Sequence, residues 1–237
     1  MIGKGKSISH GVAALEYDLA KEIDGQAAAT EIARHELYGC TGAEMVQEMK
    51  PYFTDFPNVK NNCLRFEVSP SIEESSSFTD ADWAELGNDF MQRMGLVNHQ
   101  YIIIKHSRTE SKKEQAHLHI LANRISLSGE LYRDNWIGKR ATEAANAIAK
   151  ERNFVQSQDI GKANKEEIKE AMNSVLKKMQ GFDLTKFQEE LGKLGFKIRE
   201  ARVPSSMKAA SRMRRRDSGS SKNSRRFGFS KKFMGRT

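Results

Sequence analysis

The pattern of apolar and polar positions predicts β-strands in the first half of the chain. Residues 62–68 alternate between apolar and polar side chains, as expected of a strand with one buried face. Residues 101–106 form a short apolar run, and residues 115–125 alternate again. The short polar connection between the last two segments predicts a hairpin and therefore an antiparallel sheet. A last strand is predicted at residues 196–200.

Capping residues, periodicity and composition predict helices around these strands. Thr41 and Glu44 form a capping-box pattern at the start of one helix, and Thr79 caps another that Gly95 ends. Residues 4–10 are polar and are predicted to form a loop. The predicted helices cover residues 11–21, 25–37, 41–50, 79–94, 139–152, 164–180 and 184–194. Alanine-rich composition is the basis for the second of them.

Together these elements predict an α+β fold. An antiparallel central sheet would have its helices packed on one face, since the apolar side of each strand needs a cover. In the third strand His117, His119 and Asn123 point to one side, and Leu118 and Ile120 point to the other. The face without helices is therefore predicted to be open and polar.

The composition of the 237-residue chain indicates a globular protein that acts in the cytoplasm. Its hydrophobic content of 38% supports a core, and its charged content of 30% supports a solvated surface. No apolar run is long enough for membrane insertion, and the N-terminal residues lack the apolar centre of a secretory signal. Cys40 and Cys63 are expected to be reduced thiols.

The positive charge is concentrated at the end of the chain. Residues 202–237 contain twelve Lys or Arg and one acid, which gives +11, whereas the whole chain carries +8 and the remainder therefore −3. We therefore predict two parts, a globular domain over residues 1–203 and a basic arm over residues 204–237. Such an arm suits a polyanion, because each neutralised phosphate releases counterions. A solvated arm that binds nothing specific is the alternative.

Three of the six histidines lie close together in the predicted hairpin. His106 ends one strand, and His117 and His119 lie on one side of the next. Residues two apart in a strand are about 6.6 Å apart along it. Three imidazoles can hold one divalent ion and leave coordination positions open, which is typical of catalytic sites. The alternative is that the histidines only line a polar sheet face.

These segments resemble the motifs of a known family. The text YIIIKH, followed by AHLHILANRIS, is similar to the metal-binding motif of conjugative relaxases of the MOB-P type. The N-terminal text GKGKSISHGVAALEY resembles their nucleophile motif and ends at Tyr17. The segment from Arg65 to Gly95 resembles an intermediate motif, and residues 187–198 and 226–230 resemble downstream segments.

The resemblance implies the HUH-like relaxase fold and a specific chemistry. Tyr17 would attack one DNA strand at a transfer origin and form a 5′-phosphotyrosyl link. His106, His117 and His119 would hold a divalent metal, Mn²⁺ or Mg²⁺. The partner would be single-stranded DNA with an adjacent hairpin, with accessory mobilisation proteins and a coupling protein as further partners. The enzyme is expected to act as a monomer and without membrane insertion.

One departure from the family pattern concerns a carboxylate. In many relatives the strand at Arg65 carries a histidine, and an acid stands two residues after the histidine that ends the next strand. Here Ser107 and Arg108 follow His106. We therefore predict that Glu67 takes the role of the missing carboxylate. The residues predicted to contact DNA are Arg65, Lys105, Arg108, Asn123, Arg124, Arg214, Arg215, Arg216, Arg225 and Arg226.

Other functions use the same residues. A rolling-circle replication initiator would share the tyrosine chemistry and differ in the DNA it recognises. A metal-dependent nuclease would use water and leave no covalent intermediate. A non-catalytic nucleic-acid-binding module would need none of the histidines. If Tyr17 is not the nucleophile, Tyr38 is the next candidate.

Overall fold

A five-stranded antiparallel sheet forms the centre of the fold in a computed structural model that describes residues 1–23, 25–107, 115–200 and 227–231. The strands are β1 (Ile2–Ile8), β2 (Glu22–Ile23), β3 (Gln26–Ala27), β4 (Ala29–His35), β5 (Cys63–Ser69), β6 (His99–His106), β7 (His117–Ser126), β8 (Phe196–Glu200) and β9 (Phe227–Lys231). The central sheet has the order β1-β5-β7-β6-β4, and neighbouring strands in it are antiparallel. The predicted α+β class is confirmed.

The helices are α1 (Gly11–Leu19), α2 (Gly42–Met49), α3 (Ile72–Ser75), α4 (Asp80–Met94), α5 (Ile137–Glu151), α6 (Ser157–Lys178) and α7 (Leu184–Lys193), with a 3₁₀ turn at Lys50–Phe53. Five of the helices begin and end within two residues of the predicted positions, whereas α6 begins seven residues earlier than predicted and α3 was not predicted. The Thr79 side chain accepts a hydrogen bond from the Asp82 backbone N–H at the start of α4. Gly95 ends that helix with φ of 72°, a conformation that favours glycine.

One face of the sheet is covered by α4 and α5. The apolar side chains of β5, β6 and β7 pack there against both helices in one buried cluster. Phe66 and Phe90 meet edge to face, with ring centroids 5.5 Å apart. Each fully buried side chain of this size contributes roughly 1.5–3 kcal/mol, so this cluster is the main source of stability.

The opposite face is covered over part of its area. Leu15 of α1 and Met45 of α2 are fully buried against Ile102, Ile104 and Leu121 of the sheet. The predicted open face is therefore polar only beyond these helices, at the hairpin end of β6 and β7. The histidines lie at this end.

Two strands of the central sheet, β1 and β4, were not predicted from the sequence. Residues 4–10 were expected to be a loop, but residues 2–8 form edge strand β1. Residues 25–37 were expected to be helical, and that prediction is wrong because β3 and β4 occupy the segment. Backbone pairing of β4 with β6 outweighs the helical preference of its alanines, since propensity is a weak local term.

The chain divides into two compact units, Met1–Lys162 and Ala163–Thr237. The second unit has a small core of its own, in which Val175, Phe187 and Leu191 are buried. The predicted boundary at residues 203 and 204 lies outside the described residues. Within the described part of the chain, every helix is too short or too polar to cross a membrane. Both cysteines are free, Cys63 buried and Cys40 exposed.

Candidate metal centre and nucleophile

The three predicted histidines meet on one face of the sheet. His106 lies directly across from His117 in the β6–β7 register, and His119 follows two positions along β7. One ring nitrogen from each residue lies within 4.8 Å of the other two. The Nε2 atoms of His117 and His119 are 3.0 Å apart. The sequence therefore correctly predicted this cluster.

In His106 and His117, hydrogen bonds from the outer ring nitrogens to backbone carbonyls leave the inner nitrogens free to ligate. His106 donates from Nε2 to the carbonyl oxygen of Asp18, at 2.8 Å, because a carbonyl only accepts. His117 Nδ1 lies 3.4 Å from the carbonyl oxygen of Gln115. With the proton on the outer nitrogen, the inner nitrogen keeps its lone pair. This arrangement fixes the tautomer that a metal ligand needs.

The environment keeps all three rings neutral. Burial lowers the pKa of His106 and His117 below the ordinary value. His119 is affected most, because burial and then the charges of the other two histidines lower its pKa to about 2. The charges of Arg65 and Lys4 act in the same direction. Neutral imidazoles are the form that binds a divalent cation.

The donor set fits one divalent metal ion. Three neutral nitrogen donors on rigid strands can occupy one side of a coordination shell and leave the other side for water or substrate. Imidazole ligands suit Mn²⁺ and later first-row ions better than Mg²⁺, which prefers oxygen. His106 and His117 are buried, and His119 is 14% exposed at its side chain. Solvent therefore reaches the cluster from the His119 side.

Asp18 joins the cluster to α1. Its carboxylate is 2% exposed and makes a two-pronged ion pair with Arg65, through Nη2 and through Nε at 3.1 Å. Its Oδ1 atom lies 3.8 Å from Nδ1 of His119. Burial raises the pKa of Asp18, and the charge of Arg65 opposes that rise. Asp18 thus contacts His106 through its backbone and lies close to His119 through its side chain.

Tyr17 precedes Asp18 on α1 and points to solvent. Its side chain is 56% exposed, and its hydroxyl oxygen accepts a hydrogen bond from Lys21 Nζ at 3.0 Å. The same ammonium lies 5.1 Å from the centre of the ring. The helix itself is held firmly, because Leu15 is buried and the Glu16 carboxylate accepts from the first turn of α2.

Glu67 lies on the same face of the sheet as the histidines, but its carboxylate is bonded to Lys4 and not to a histidine. It pairs with His119 across β5 and β7 and with Lys4 across β5 and β1. Lys4 Nζ donates to Glu67 Oε1 at 2.8 Å. Two acids, Glu67 and Asp18, therefore lie where a carboxylate was predicted. Of the two, Asp18 has its carboxylate oxygen 3.8 Å from a ring nitrogen of His119.

Three predicted DNA contacts are not brought to the cluster. Lys105 points to the other face of the sheet and makes an ion pair with Asp80 at the start of α4. Arg124 donates to two backbone carbonyls and to Asp134, at 2.7 Å, within the protein. Asn123 is fully buried beneath α2 and bonded to Gln100 and Ile125, so its side chain is not exposed in this structure, and its role as a DNA contact stays a prediction.

The remaining predicted contacts divide in two. Arg65 lies in the site, with its guanidinium between Asp18 and His119. The others fall on residues outside the described ranges, and they are Arg108, Arg214, Arg215, Arg216, Arg225 and Arg226.

Asp18, Lys4 and Lys6 lie at or beside the cluster and were not predicted from the sequence. A signal for Asp18 was present, because it occupies a position of the buried helical stripe formed by Gly11, Ala14 and Leu15. An acid at such a position needs a partner inside the protein. The two lysines alternate with glycines in β1, and a strand with glycine at its alternate central positions gives no hydrophobic alternation there.

Comparison with known proteins assigns the family. A family model described as "Relaxase: MobA/VirD2-like, nuclease domain" matches residues 17–154. No curated protein sequence matches the chain significantly. Among solved structures, the chain is similar to the conjugative relaxase TrwC in complex with oriT DNA, metal-bound, at 12% identity, with 85% of this chain and 73% of that chain covered and a TM-score of 0.38. That score is too low to support conclusions about the site. The family model spans more than half of the chain, and the chain therefore belongs to the MobA/VirD2-like relaxases and contains their nuclease domain.

Proposed function

We propose that this relaxase nicks one DNA strand at a transfer origin by transesterification on Tyr17. The phenolic oxygen attacks the scissile phosphorus, the bond from phosphorus to the 3′ oxygen breaks, and the phenol proton passes to that oxygen through solvent. The products are a 5′-phosphotyrosyl link and a free 3′-OH. The observation that supports this proposal is the direct connection between the exposed tyrosine and the histidine cluster through Asp18.

His106, His117 and His119 are the residues that would hold the divalent ion. When bound, a divalent ion supplies positive charge that polarises the scissile phosphate and stabilises its transition state. Mn²⁺ or Mg²⁺ is proposed, since imidazole ligands favour the first and abundance favours the second. Strands β6 and β7 keep the three ligands in place, so little reorganisation is needed on binding.

The other residues of the site orient these groups. Lys21 donates to the Tyr17 hydroxyl oxygen and places a positive charge beside the attacking atom. Arg65 neutralises the buried Asp18 carboxylate and lies beside His119, where its free edge can meet a phosphate. The carboxylate that orients a histidine ligand is Asp18 in this proposal, and Glu67 is the alternative that the sequence analysis favoured.

The proposed substrate is single-stranded DNA next to a hairpin in the transfer origin of a plasmid or integrated element in the cytoplasm. The basic residues of the chain's last segment, which carry most of its positive charge, would bind the flanking DNA. Accessory mobilisation proteins and a coupling protein are proposed as partners. A monomer is proposed as the active form.

The test is a covalent adduct. Wild-type protein, Tyr17→Phe and Tyr38→Phe are incubated with Mn²⁺ or Mg²⁺ and single-stranded oligonucleotides from candidate origins, then denatured in SDS and separated on a gel. Tyr38 is the matched control, because it is an exposed tyrosine whose hydroxyl donates to Glu36. We expect an adduct with wild type and Tyr38→Phe, and none with Tyr17→Phe or with EDTA.

Each other outcome contradicts part of the proposal. An adduct that persists in Tyr17→Phe and disappears in Tyr38→Phe would identify Tyr38 as the nucleophile. Cleavage without any adduct would indicate a nuclease that uses water.

A further inference from the structure

Edge strand β1 places a second row of positive charge beside the histidine cluster. Its register pairs Lys4 with Glu67 and Lys6 with Arg65, and Glu67 in turn pairs with His119. Residues paired in this way point to the same face of an antiparallel sheet. Lys4 and Lys6 therefore lie on the face of the sheet that carries the histidines, two strands or roughly 10 Å from β7.

The two glycines of β1 explain why the lysines can lie there. A side-chain carbon at Gly3 would overlap the carbonyl oxygen of Ala141 on α5, and one at Gly5 would lie 2.8 Å from the Phe66 ring. Glycine is thus required on the face where α5 packs. The alternate positions are left to point toward the site, and both contain lysine.

A small pocket lies between these lysines and the cluster. It has a volume of about 220 Å³ and is lined by Lys4, Gly5, Lys6, Arg65, Phe66, Glu67 and His119. Three cations and one carboxylate line it, so it is electropositive. Its volume is below the roughly 300–1,000 Å³ of pockets that enclose drug-sized ligands, so it suits a single phosphate group better than a nucleoside.

The charged groups are arranged so that they stay available to a ligand. Lys4 Nζ is held by Glu67 at 2.8 Å but has three donors, and its side chain is 64% exposed. Lys6 is exposed, and no described acid pairs with it. Glu67 therefore acts as a positioning residue for Lys4. The Lys4–Glu67 ion pair is too exposed to contribute much to the stability of the fold.

We propose that Lys4 and Lys6, together with Arg65, form a binding site for a backbone phosphodiester of the single DNA strand, next to the phosphate held at the histidine cluster. This inference rests on the proposed function, since it concerns the strand that Tyr17 attacks. It assigns β1 the role of guiding that strand along the edge of the sheet.

The test measures the salt dependence of DNA binding in full-length protein. All variants contain Tyr17→Phe, so that binding is measured without cleavage. Fluorescence anisotropy with a mixed-sequence single strand and Mn²⁺ gives the association constant over a range of salt concentrations. Each lost phosphate contact lowers the slope of log K against log salt by about 0.7 for single strands. Since the two lysines contact one phosphodiester in this proposal, we expect Lys4→Gln with Lys6→Gln to lower it by roughly 0.7.

Two further variants separate the site from general charge. Lys139→Gln with Lys150→Gln removes two charges from α5, which packs on the other face of β1, and should leave the slope close to that of the parent protein. Lys4→Arg with Lys6→Arg keeps both charges and should restore it. The inference is overturned if the β1 glutamine pair has the same slope as the α5 pair.

Two further measurements, with duplex DNA and with inorganic phosphate, show which of these ligands the site binds. If the β1 glutamine pair changes the slope only with duplex DNA, the site binds duplex, and the assignment to the single strand is wrong. If calorimetry shows that the pair loses inorganic phosphate while its single-strand slope is unchanged, the site binds a free anion instead. Failure of the proposed nicking is recorded separately, as the absence of the wild-type adduct.

Discussion

Asp18 connects the proposed nucleophile to the metal ligands at the scale of single residues. Its backbone carbonyl accepts from His106, and its carboxylate lies near His119 and binds Arg65. Removing a carboxylate that orients a metal-bound histidine commonly costs 10- to 100-fold in metal affinity. The two acids of the site differ in this respect, because Glu67 is bonded to Lys4 instead.

This difference predicts how two isosteric substitutions will act. Asp18→Asn should weaken Mn²⁺ binding by about 10- to 100-fold. Glu67→Gln should change it by less than a factor of about five, because the Glu67 carboxylate is bonded to Lys4 and an exposed ion pair contributes only about 0–1 kcal/mol. Competition with a chromophoric chelator measures both. The reverse order would show that Glu67 supplies the carboxylate, as the sequence analysis predicted.

The buried histidines predict a pH-dependent stability for the metal-free protein. Burial lowers the pKa values of His106, His117 and His119. At a pH below about 6.5 the unfolded chain therefore binds protons at these residues that the folded chain does not bind. The free energy of unfolding is therefore highest above the unfolded-state pKa near 6.5. It falls as the pH drops below that value, by up to about 1.4 kcal/mol per pH unit for each histidine.

Urea denaturation in EDTA at pH 7, 6 and 5 measures this effect. We expect the free energy of unfolding to fall over the series and to fall less steeply in His119→Gln, which cannot take up the proton. His99 is also buried with a lowered pKa, so part of the slope should remain. A flat profile for the wild type would contradict the neutral cluster.

The parity of strand β7 could be predicted from sequence alone, and it correctly placed His117 and His119 on one face. The contacts of Asp18 could not, because they depend on how α1 packs across the sheet. The burial of Asn123 has the same cause, since α2 covers the strand beyond Leu121. Local periodicity indicates which side a residue faces but not which element covers that side.

At the scale of elements, strand β1 was not predicted from the sequence. Its two faces differ sharply in residue type. Its glycines contact α5, and its lysines face the site. Gly5→Ala should destabilise the protein by roughly 1–3 kcal/mol, since the added carbon would lie 2.8 Å from the Phe66 ring.

Gly161→Ala is the matched control for this prediction. Gly161 lies in α6 with open space around it, so alanine there should stabilise by about 0.5–1 kcal/mol through helix propensity. Urea midpoints measure both variants. Equal effects at the two positions would indicate that the close approach of β1 to α5 does not limit the residue type.

The helices whose ends were predicted share a physical cause. Thr41 and Thr79 cap α2 and α4 with complete capping boxes, and such signals are local in sequence. The error over β4 is different in kind, because that strand exists through its pairing with β6 at the far side of the sheet. Elements with local signals were therefore predicted, and elements that depend on distant partners were missed.

At the scale of the whole molecule, the charge is divided between a nearly balanced body and a basic end. Replacing Arg214, Arg215, Arg216, Arg225 and Arg226 with glutamine should lower single-strand affinity and reduce the salt slope by up to about 0.7 per residue. Metal affinity should not change, because the three ligands belong to β6 and β7. Anisotropy and chelator competition measure the two properties.

A control with the same change in net charge tests whether position matters. Glutamine at Lys165, Lys169, Lys177, Lys186 and Lys193 removes five charges from α6 and α7. An equal loss of slope in both sets would mean that total charge, and not the arginine-rich segment, determines DNA binding.

The adjacency of Tyr17 and Asp18 has a mechanical consequence for the proposed intermediate. Once a strand is joined to Tyr17, tension on that strand acts on the last turn of α1. The next residue in that turn holds the carbonyl that accepts from His106. In the proposed intermediate, tension on the DNA would therefore act on the hydrogen bond between Asp18 and His106. The residue that anchors the DNA would transmit force to one of the proposed metal ligands.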